Sequence, residues 1–297
     1  MQKPLLNKRA VVTGSSLGIG RAVAIRLASE GAKVVVNGSG SVPGALEGVV
    51  EEIAAAGGTA IAVAGSVADP EVGRRLIDTC VSEFGGIDIL INVAGIIEPV
   101  GSSILNISLE DWHRQIDVHL HGSFYTCRNA APIMAAQKYG VIVNTGSHAF
   151  TGVYGSTGYA AGKGATFSLT YALAKSLAEV GVRVNAVCPG AKTRMSTGAD
   201  YEATIHSLNA RGILDDVTTQ ASLNPEPPEL VAALYAWLAS DASAPVTGKI
   251  FSAAGGYVGM FVEPTEKPLA FRNVAVDCGW TLEALSDQIG KSLVANA

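Results

Sequence analysis

The chain has 297 residues, 48% of them hydrophobic, and its 21 basic and 26 acidic side chains give a formal net charge of -5. This length and composition suit one large α/β core, and an acidic balance without a basic stripe argues against a nucleic-acid-binding surface. Mean hydropathy is +0.31, yet no uninterrupted apolar run reaches the ~18 residues of a membrane span, so we expect no membrane partner.

Short apolar runs alternate with longer helical stretches along the chain. Strands are predicted near residues 9–13, 33–37, 60–64, 87–91, 140–145, 182–187 and 248–252. Helices are predicted near residues 19–29, 45–56, 70–84, 111–136, 157–180 and 228–239. This βαβ rhythm is typical of an α/β fold with a doubly wound parallel sheet, as in Rossmann-like domains.

The first strand runs directly into a glycine-rich turn. Residues 9–12 read as a buried strand, and Gly14, Gly18 and Gly20 follow as an apolar helix begins. Glycines let the backbone turn sharply and approach a pyrophosphate, while the helix N-terminus offers free N–H groups and a positive dipole end. The segment predicts a nucleotide-binding turn, with a plain tight turn as the alternative.

Further motifs follow in chain order at the ends of predicted strands or the starts of helices. Because an open parallel sheet gathers its ligands at the carboxyl ends of its strands, we expect these residues to line one site. They are Asn92, Ala94, Gly95, Ser147, Pro189, Gly190 and Thr193.

Tyr159 and Lys163 lie four residues apart on a predicted helix. Side chains with this spacing share one helix face, so the lysine charge can stabilise the tyrosine phenolate. An ordinary tyrosine has a pKa near ~10, too high for proton exchange at neutral pH, and a nearby positive charge lowers it. The pair predicts a proton donor for hydride-transfer chemistry, with an unremarkable surface pair as the alternative.

The chain start and the cysteines favour a cytoplasmic location. Residues 1–4 lead almost at once into the first strand, which leaves no room for a signal peptide. The cysteines are widely spaced and lack a close histidine, so neither a disulfide nor a metal site is expected. They are Cys80, Cys127, Cys188 and Cys278.

Together, the ordered motifs resemble the short-chain dehydrogenase/reductase family over residues 7–257. The resemblance implies a seven-stranded sheet in one domain, residues 1–258, with a substrate lid at about 193–225 and a C-terminal extension at 259–297. It also implies an NAD(P)-dependent enzyme that transfers hydride between nicotinamide and a secondary alcohol or ketone. Homotetramers are common in this family, so a homo-oligomer, either dimer or tetramer, is expected.

The resemblance also implies residue roles. Ser147 would hold the substrate oxygen, Tyr159 would exchange its proton, and Lys163 would keep the Tyr159 pKa low and bond the nicotinamide ribose. Ser147 precedes Tyr159 by one residue fewer than is usual, so the loop between them is slightly shortened. The implied cofactor contacts are Gly14, Ser16, Leu17, Gly18, Ile19, Gly20, Gly38, Ser39, Ser66, Val67, Asn92, Ala94, Gly95, Tyr159, Lys163, Pro189, Gly190 and Thr193.

Cofactor choice depends on the end of the second strand. Family members that use NAD normally carry an aspartate where this chain has Gly38, and NADP-dependent members usually carry a base there or at Leu17. This chain has neither the acid nor the base. Ser39 and Ser41 could bond a 2'-phosphate, although solvated loop serines would look the same, and the prediction leans slightly to NADP.

His119 stands where most members carry a catalytic asparagine. An imidazole also donates and accepts hydrogen bonds, so a water-linked proton path to Lys163 is open, and titration of His119 near pH ~6.5 would add pH sensitivity. A histidine merely packed in the helix is the alternative.

Residues 118–124, with Tyr139-Gly140 and a C-terminal tail, look like the dehydrogenase part of the peroxisomal multifunctional β-oxidation enzymes. That branch oxidises 3-hydroxyacyl-CoA thioesters.

The region after Thr193 reads as the substrate lid, with an ordinary surface helix pair as the alternative. Its apolar residues are Met195, Tyr201, Ile205, Leu208, Ile213 and Leu214.

In the C-terminal extension, Thr281 reads as the N-cap of an apolar periodic helix that continues to Leu293. This extension would cover either the active site or a subunit interface.

Three functions fit these observations. The leading one is a 3-hydroxyacyl thioester dehydrogenase or 3-oxoacyl thioester reductase, with acyl-CoA as a substrate candidate. The second is a dehydrogenase of steroids or other bulky alcohols. The third is a non-catalytic nucleotide-sensing protein on the same fold, since a fold alone does not determine function.

Overall fold

In the part of the chain that the structure describes, eight strands form one open sheet in the order β3-β2-β1-β4-β5-β6-β7-β8. The first seven run parallel, and β8 pairs with β7 in the antiparallel sense. The computed structural model describes residues 3–154, 156–273, 275 and 279–294. The strands are β1 Arg9–Thr13, β2 Lys33–Gly38, β3 Thr59–Ala64, β4 Ile89–Asn92, β5 Gly140–Thr145, β6 Val182–Gly190, β7 Ile250–Ala254 and β8 Tyr257–Met260.

Helices connect the strands and cover both faces of the sheet. One face packs against α1, α2 and α9, and the other against α3, α5 and α6. The helices are α1 Gly18–Ser29, α2 Ala45–Ala55, α3 Pro70–Phe84, α4 Leu109–Ile116, α5 Gly122–Gln137, α6 Gly158–Leu177, α7 Ala199–Ala210, α8 Asp216–Leu223, α9 Pro228–Ala239 and α10 Leu282–Val294.

Successive residues of a strand face opposite sides of the sheet, and both sides are buried. In β1, Val11 packs with the α3, α5 and α6 side, while Val12 packs with the α1, α2 and α9 side. Both valines are fully buried. Burying one such side chain contributes about 1.5–3 kcal/mol, so continuous apolar strands favour a sheet covered on both faces.

The predicted doubly wound α/β fold is confirmed, with a correction to the strand count. The implied count of seven strands is wrong, because residues 257–260 add an eighth. Gly255, with φ +54°, lets the chain reverse after β7 and return beside it. This short edge strand lies at the end of the region that resembles the family, where the family pattern provides no strand.

The long helix predicted over residues 111–136 is three segments. After α4, a π-helical turn at Asp117–His121 leads into α5. A π turn widens the helix by one residue and is frequent at functional sites. The apolar periodicity of a sequence does not distinguish a π-helical turn from an α-helix. His119 lies within this π-helical turn and faces the interior, where its side chain is 1% exposed.

The backbone contacts divide the chain into two units, Met1–Phe261 and Val262–Ala297. Within the second unit, α10 begins after Thr281, whose hydroxyl accepts a hydrogen bond from the Ala284 N–H at 3.1 Å, as the predicted N-cap requires. The Arg272 guanidinium lies 5.2 Å from the ring centroid of Trp280 in the same unit. Among the described residues, no helix is both long and apolar enough to cross a membrane.

Candidate active site

The glycine-rich turn between β1 and α1 packs tightly against its neighbours. A Cβ at Gly14 would lie 2.6 Å from the Ala94 Cα, and one at Gly20 would lie 2.2 Å from the Gly14 carbonyl oxygen. Leu17, the N-cap residue of α1, makes no side-chain capping bond. The first N–H groups of α1 therefore have no side-chain cap, and with the dipole they suit an anionic group such as a pyrophosphate.

Two buried polar side chains hold this turn in place, and sequence reasoning missed both. The Asn37 amide donates to the carbonyls of Val63 and Gly65 at 3.0 Å each, and its Oδ1 accepts from the Gly14 N–H at 3.2 Å. Thr13 Oγ1 accepts from the N–H groups of residues 93 and 94 at 3.0 and 3.2 Å. Polar residues at the ends of apolar strands are the signal that would have found them.

The end of β2 explains why Gly38 is a glycine. A Cβ at that position would lie 2.8 Å from the Ser16 Oγ, so the Ser16 side chain occupies the space that an acidic side chain would need. Ser39 and Ser41 are exposed, and the Ser39 hydroxyl donates to Ser41 Oγ at 3.1 Å. The hydroxyl groups of Ser39 and Ser41 therefore lie on the loop after β2, where the cofactor choice is expected, and that of Ser16 packs beside Gly38 from the glycine-rich turn.

The side chains of Asn92, Ser66 and Val67, three further predicted cofactor residues, make contacts within the protein. Asn92 is 5% exposed and its amide donates to Asn144 Oδ1 at 3.0 Å, while its Oδ1 accepts from the Thr126 hydroxyl at 2.7 Å. The Asn92 side chain is thus committed to the core, which leaves its main chain for the predicted contact. Ser66 Oγ accepts from the Ala68 N–H at 3.3 Å, and Val67 is buried against α5.

Ser147, Tyr159 and Lys163 come together above the carboxyl end of β5. Ser147 is the N-cap residue of a short 3-10 turn, His148–Thr151, and its hydroxyl oxygen accepts from the Ala149 N–H at 3.2 Å. The half-buried Tyr159 lies close enough to Ser147 for the serine to lower the pKa of its phenol. The Lys163 ammonium, one turn along α6, donates to the Thr145 carbonyl at 3.1 Å and lies 5.9 Å from the Tyr159 ring centroid. The structure therefore brings the three predicted catalytic side chains into one site.

The pKa directions differ from the sequence expectation. Burial raises the pKa of Tyr159 and outweighs the hydrogen bond from Ser147, which lowers it. Burial also lowers the pKa of Lys163 to about 8. The expected low Tyr159 pKa is wrong for the structure as it stands, because desolvation disfavours the phenolate more than its surroundings stabilise it.

His119 is held as a neutral imidazole. Its Nε2 lies 3.1 Å from both the Ile96 carbonyl oxygen and the Gln115 Oε1, and 3.5 Å from the Ile96 backbone nitrogen; the two shorter contacts, both to acceptors, favour a proton on Nε2. Its Nδ1 has no partner among the described residues and is therefore an acceptor. Burial, followed by the charge of Lys163, lowers the pKa of His119 well below its usual range. The expected titration near pH ~6.5 is therefore wrong.

Gly95 brings these groups close together. A Cβ at Gly95 would lie 2.9 Å from the His119 Cε1, 3.4 Å from its Nδ1 and 3.5 Å from the Lys163 Nζ. The unpartnered Nδ1 and the ammonium thus border the same small space. A water in such a space would accept a hydrogen bond from Lys163 and donate one to His119.

Sequence reasoning missed two supports of the catalytic segment. His148 Nδ1 lies 3.3 Å from the Cys188 Sγ, and its Nε2 lies 3.2 Å from the Ser252 Oγ, which ties the Ser147 turn to β6 and β7. Glu98 accepts from the Tyr159 N–H at 2.6 Å. An acid inside the apolar run 96–100 is the signal that would have found Glu98.

The lid region contains two helices with a small core of their own. Apolar residues of α7 and α8 pack with Val153 and Tyr154 from the segment that precedes Tyr159. Tyr154 Oη also lies 3.4 Å from the Ser222 Oγ of α8. Thr193, at the start of this region, would contact a Cβ on Gly18 at 3.3 Å. The region after β6 therefore reaches both the glycine-rich turn and the Tyr159 segment.

Among the described residues, the cysteines form no disulfide and no metal-binding group of side chains is found. Cys80, Cys127 and Cys188 are buried free thiols, and burial raises the pKa of each to about 12. Cys278 lies outside the described residues. Within the described part of the chain, no three His, Cys, Asp or Glu side chains are grouped as a metal site.

Comparison with known proteins identifies the family. A model of the enoyl-(acyl carrier protein) reductase family matches residues 14–258. A 3-oxoacyl-(acyl-carrier-protein) reductase of Synechocystis is 40% identical over 251 residues, 84% of this chain and 96% of that protein. A 3beta-hydroxysteroid dehydrogenase of Eggerthella lenta is 40% identical over 258 residues, 86% of this chain and 95% of that protein.

Two further comparisons bear on the local resemblance and on the fold. The chain is 36% identical over 257 residues to a peroxisomal hydratase-dehydrogenase-epimerase of Saccharomyces cerevisiae, covering 84% of this chain and 26% of that protein. A short chain dehydrogenase from Burkholderia cenocepacia, solved in complex with NADP, superposes with a TM-score of 0.73 at 32% identity, covering 85% of this chain and 98% of that one. The predicted resemblance is confirmed: the chain belongs to the short-chain dehydrogenase/reductase family and is an NAD(P)-dependent oxidoreductase of alcohol and ketone groups.

Proposed function

We propose that the protein interconverts 3-oxoacyl and 3-hydroxyacyl thioesters, with Ser147, Tyr159 and Lys163 as its catalytic residues. The observation that carries this proposal is the convergence of Ser147 and Tyr159, with the buried ammonium of Lys163 one helix turn away. The thioester class is supported by the reductase family whose model matches the chain and by the Synechocystis relative.

The residues present suit a nicotinamide dinucleotide. The close approach of Gly14 to Ala94 and the uncapped start of α1 form a narrow cradle for a pyrophosphate. We assign Gly14, Ser16, Leu17, Gly18, Ile19 and Gly20 to this part, with Pro189, Gly190 and Thr193 across from it. When bound, the nicotinamide supplies or accepts the hydride.

The protein's own contribution is orientation and proton exchange. The Ser147 hydroxyl holds the substrate carbonyl or hydroxyl oxygen, and Tyr159 gives the proton in reduction or takes it in oxidation. Because burial raises the Tyr159 pKa, this phenol is a protonated donor at neutral pH, which suits carbonyl reduction. The Lys163 charge then stabilises the phenolate that remains after the proton has left.

We assign His119 the place of the usual asparagine, where it would hold a water next to Lys163. Its Nδ1 is an acceptor beside the Lys163 ammonium, in the space next to Gly95. A water held between the two would accept a hydrogen bond from the Lys163 ammonium and donate one to His119 Nδ1, which would fix the water beside the ammonium. The Nε2 bonds to Ile96 and Gln115 keep the ring in this orientation.

For the cofactor, we favour NADP. Ser16 fills the space beside Gly38 that the NAD-selecting aspartate would need, and Ser39 and Ser41 offer hydroxyl donors to a 2'-phosphate. The NADP complex of the Burkholderia cenocepacia relative is consistent with this choice. Separate titrations of the purified protein with NADH and NADPH, followed by nicotinamide fluorescence, test it.

A steroid or other bulky secondary alcohol is the second candidate substrate. The 40% identity to the Eggerthella lenta 3beta-hydroxysteroid dehydrogenase equals that to the Synechocystis reductase, so overall similarity does not separate them. The discriminating experiment is NADPH oxidation with acetoacetyl-CoA, a 3-oxosteroid and cyclohexanone at equal concentration. A kcat/KM highest for the thioester supports the proposal, and one highest for the steroid replaces it. Hydride transfer to none of them would revive the nucleotide-sensing alternative.

We further propose that the protein is cytoplasmic, as its buried free cysteines suggest, and a homo-oligomer, as the family resemblance implies. Several large apolar side chains on the described surface are exposed, including Val100, Leu105 and Leu109. Contiguous exposed apolar side chains commonly mark protein interfaces. Sedimentation equilibrium distinguishes a monomer from a dimer or tetramer.

A further inference from the structure

A buried carboxylate lies at the start of the helix that carries Tyr159. Glu98, in the loop after β4, is 6% exposed. Its Oε2 accepts from the N–H of Tyr159 at 2.6 Å and of Thr157 at 3.2 Å. Its Oε1 accepts from the Thr157 N–H at 3.1 Å and from the Ser102 hydroxyl at 2.7 Å. Among the described residues no ion pair involves Glu98, so its partners are the neutral donors of the loop and the helix.

Helix α6 has no cap of its own. Thr157 occupies the N-cap position with φ -122° and ψ -57°, and its side chain makes no capping bond. In contrast, Asp69 caps α3 locally by accepting from the Glu71 N–H at 2.9 Å. The first N–H groups of a helix need external partners, and a negative charge there also meets the positive end of the dipole. Glu98 meets this need from a loop 61 residues earlier in the chain.

The same loop also holds the other side of the catalytic site. The Ile96 carbonyl accepts from the His119 Nε2, and the Ile97 carbonyl accepts from the Gln115 amide at 3.1 Å. The four residues from Gly95 to Glu98 therefore contact the Lys163 and His119 space at one end and the Tyr159 backbone at the other. Glu98 links the two walls of the site through one short stretch of chain.

We propose that Glu98 is a positioning residue, which sets the placement of the Tyr159 phenol by clamping the first turn of α6 to the loop after β4. The proposal rests on the proposed role of Tyr159 as proton donor. Because Tyr159 is the second residue of α6, a shift of the helix start moves its phenol relative to Ser147 and the substrate. A misplacement of about 1 Å can reduce a rate about 100-fold, so this clamp bears directly on turnover.

The test compares three variants, two that alter the Glu98 contacts and one that makes the same Glu to Gln change at an exposed position. Glu98→Gln keeps the size of the side chain but turns an NH2 group towards backbone donors. Ser102→Ala keeps the carboxylate and removes one donor to it. Glu110→Gln removes an exposed acid from the first turn of α4 and is the control. For each folded variant, kcat, KM, melting temperature and the NADPH dissociation constant are measured.

We expect Glu98→Gln to lower kcat about 10- to 100-fold while the NADPH dissociation constant stays within about 3-fold. Ser102→Ala should lower kcat in the same direction by less, and Glu110→Gln should leave it unchanged. A merely structural cap would lower the melting temperature and leave the kcat of the folded enzyme intact. That outcome overturns the proposal. If Glu98→Gln does not fold, a wild-type kcat in folded Ser102→Ala overturns it.

A double-mutant cycle separates this proposal from the proposed function. If Glu98 acts through Tyr159, Glu98→Gln should change the residual rate of Tyr159→Phe by less than about 3-fold. An undiminished loss in that background indicates general damage and overturns the positioning role. A near wild-type rate in Tyr159→Phe alone refutes the proton-donor role, and the Glu98 proposal with it. A dead Tyr159→Phe beside a fully active Glu98→Gln refutes the Glu98 proposal alone.

Discussion

The imidazole of His119 lies edge-on to the phenol of Tyr159, with 5.0 Å between the two ring centroids. The His119 ring cannot turn without losing its Nε2 bonds to Ile96 and Gln115. His119, which replaces the usual asparagine, is therefore held in one orientation beside Tyr159. Its Nδ1, which has no partner among the described residues, lies next to the space beside Lys163.

Substitutions at His119 separate hydrogen bonding from packing. His119→Asn keeps an acceptor, so we expect kcat within about 10-fold of wild type. His119→Ala keeps none, and kcat should fall by on the order of 10²-fold. Steady-state kinetics with NADPH and acetoacetyl-CoA measure both. Equal activity in the two variants would show that the acceptor on His119 has no part in proton transfer.

His119 also predicts a pH dependence of stability. Its folded pKa lies well below 6.5 because of burial and the Lys163 charge, while the unfolded value is about 6.5. The unfolded chain thus binds the proton first, so the free energy of unfolding is highest above pH ~6.5 and falls as the pH drops below it. Burial gives His148 a contribution of the same sign. Urea unfolding at pH 5.5 and 7.5 should show a smaller decline for His119→Asn than for wild type; parallel declines contradict the assignment.

Removal of the Tyr159 hydroxyl tests the central role. Tyr159→Phe should lower kcat about 10²- to 10⁴-fold, because the phenol beside Ser147 and Lys163 is the proposed proton donor and the variant has no hydroxyl to replace it. The phenyl ring keeps the packing against His119, so NADPH should bind within about 3-fold of wild type. Nicotinamide fluorescence and stopped-flow turnover measure the two quantities. A variant that turns over at the wild-type rate would exclude Tyr159 as the donor.

Lys163 predicts an alkaline limit to carbonyl reduction. Its pKa of about 8 means that the charge beside Tyr159 is present below that pH and is lost above it. Since burial raises the Tyr159 pKa, the tyrosine itself stays protonated over this range. We expect kcat/KM for reduction to fall as the pH rises through about 8. Lys163→Arg, which keeps its charge, should move this decline to higher pH. An unchanged decline in that variant would assign it to another group.

The packing of Ser16 on Gly38 predicts how the cofactor preference can be changed. Gly38→Asp alone should weaken binding of both cofactors, because the new Cβ meets the Ser16 Oγ at 2.8 Å. Gly38→Asp with Ser16→Gly provides the space, and the aspartate should then favour NADH over NADPH by about 10- to 100-fold relative to wild type. Dissociation constants for both cofactors check this. Successful switching by Gly38→Asp alone would show that Ser16 does not obstruct the site.

Much of the fold was predictable from the sequence, because its signals are local. The helix predicted near residues 70–84 is present, and its ends carry local signals: an Asp69 cap with Pro70 in the first turn, and Gly85 with φ +84° at the end. The motifs at Gly14 and Ser147 were also predictable, since each follows the carboxyl end of an apolar strand, and Tyr159 was predictable from its spacing to Lys163 on a helix. The eighth strand could not be predicted, because a four-residue strand at the exposed edge of the sheet has too few residues to show a hydrophobic alternation.

The sequence by itself determined the α/β class, the family and the order of the catalytic motifs, since these depend on periodicity and spacing along the chain. The tertiary structure decided which charges are buried and which side chains meet. It reversed the expected pKa direction of Tyr159, kept His119 neutral and placed Glu98 on the backbone of Tyr159. Desolvation and contacts between segments far apart in the chain exist only once the sheet and helices have packed, so no local pattern carries them.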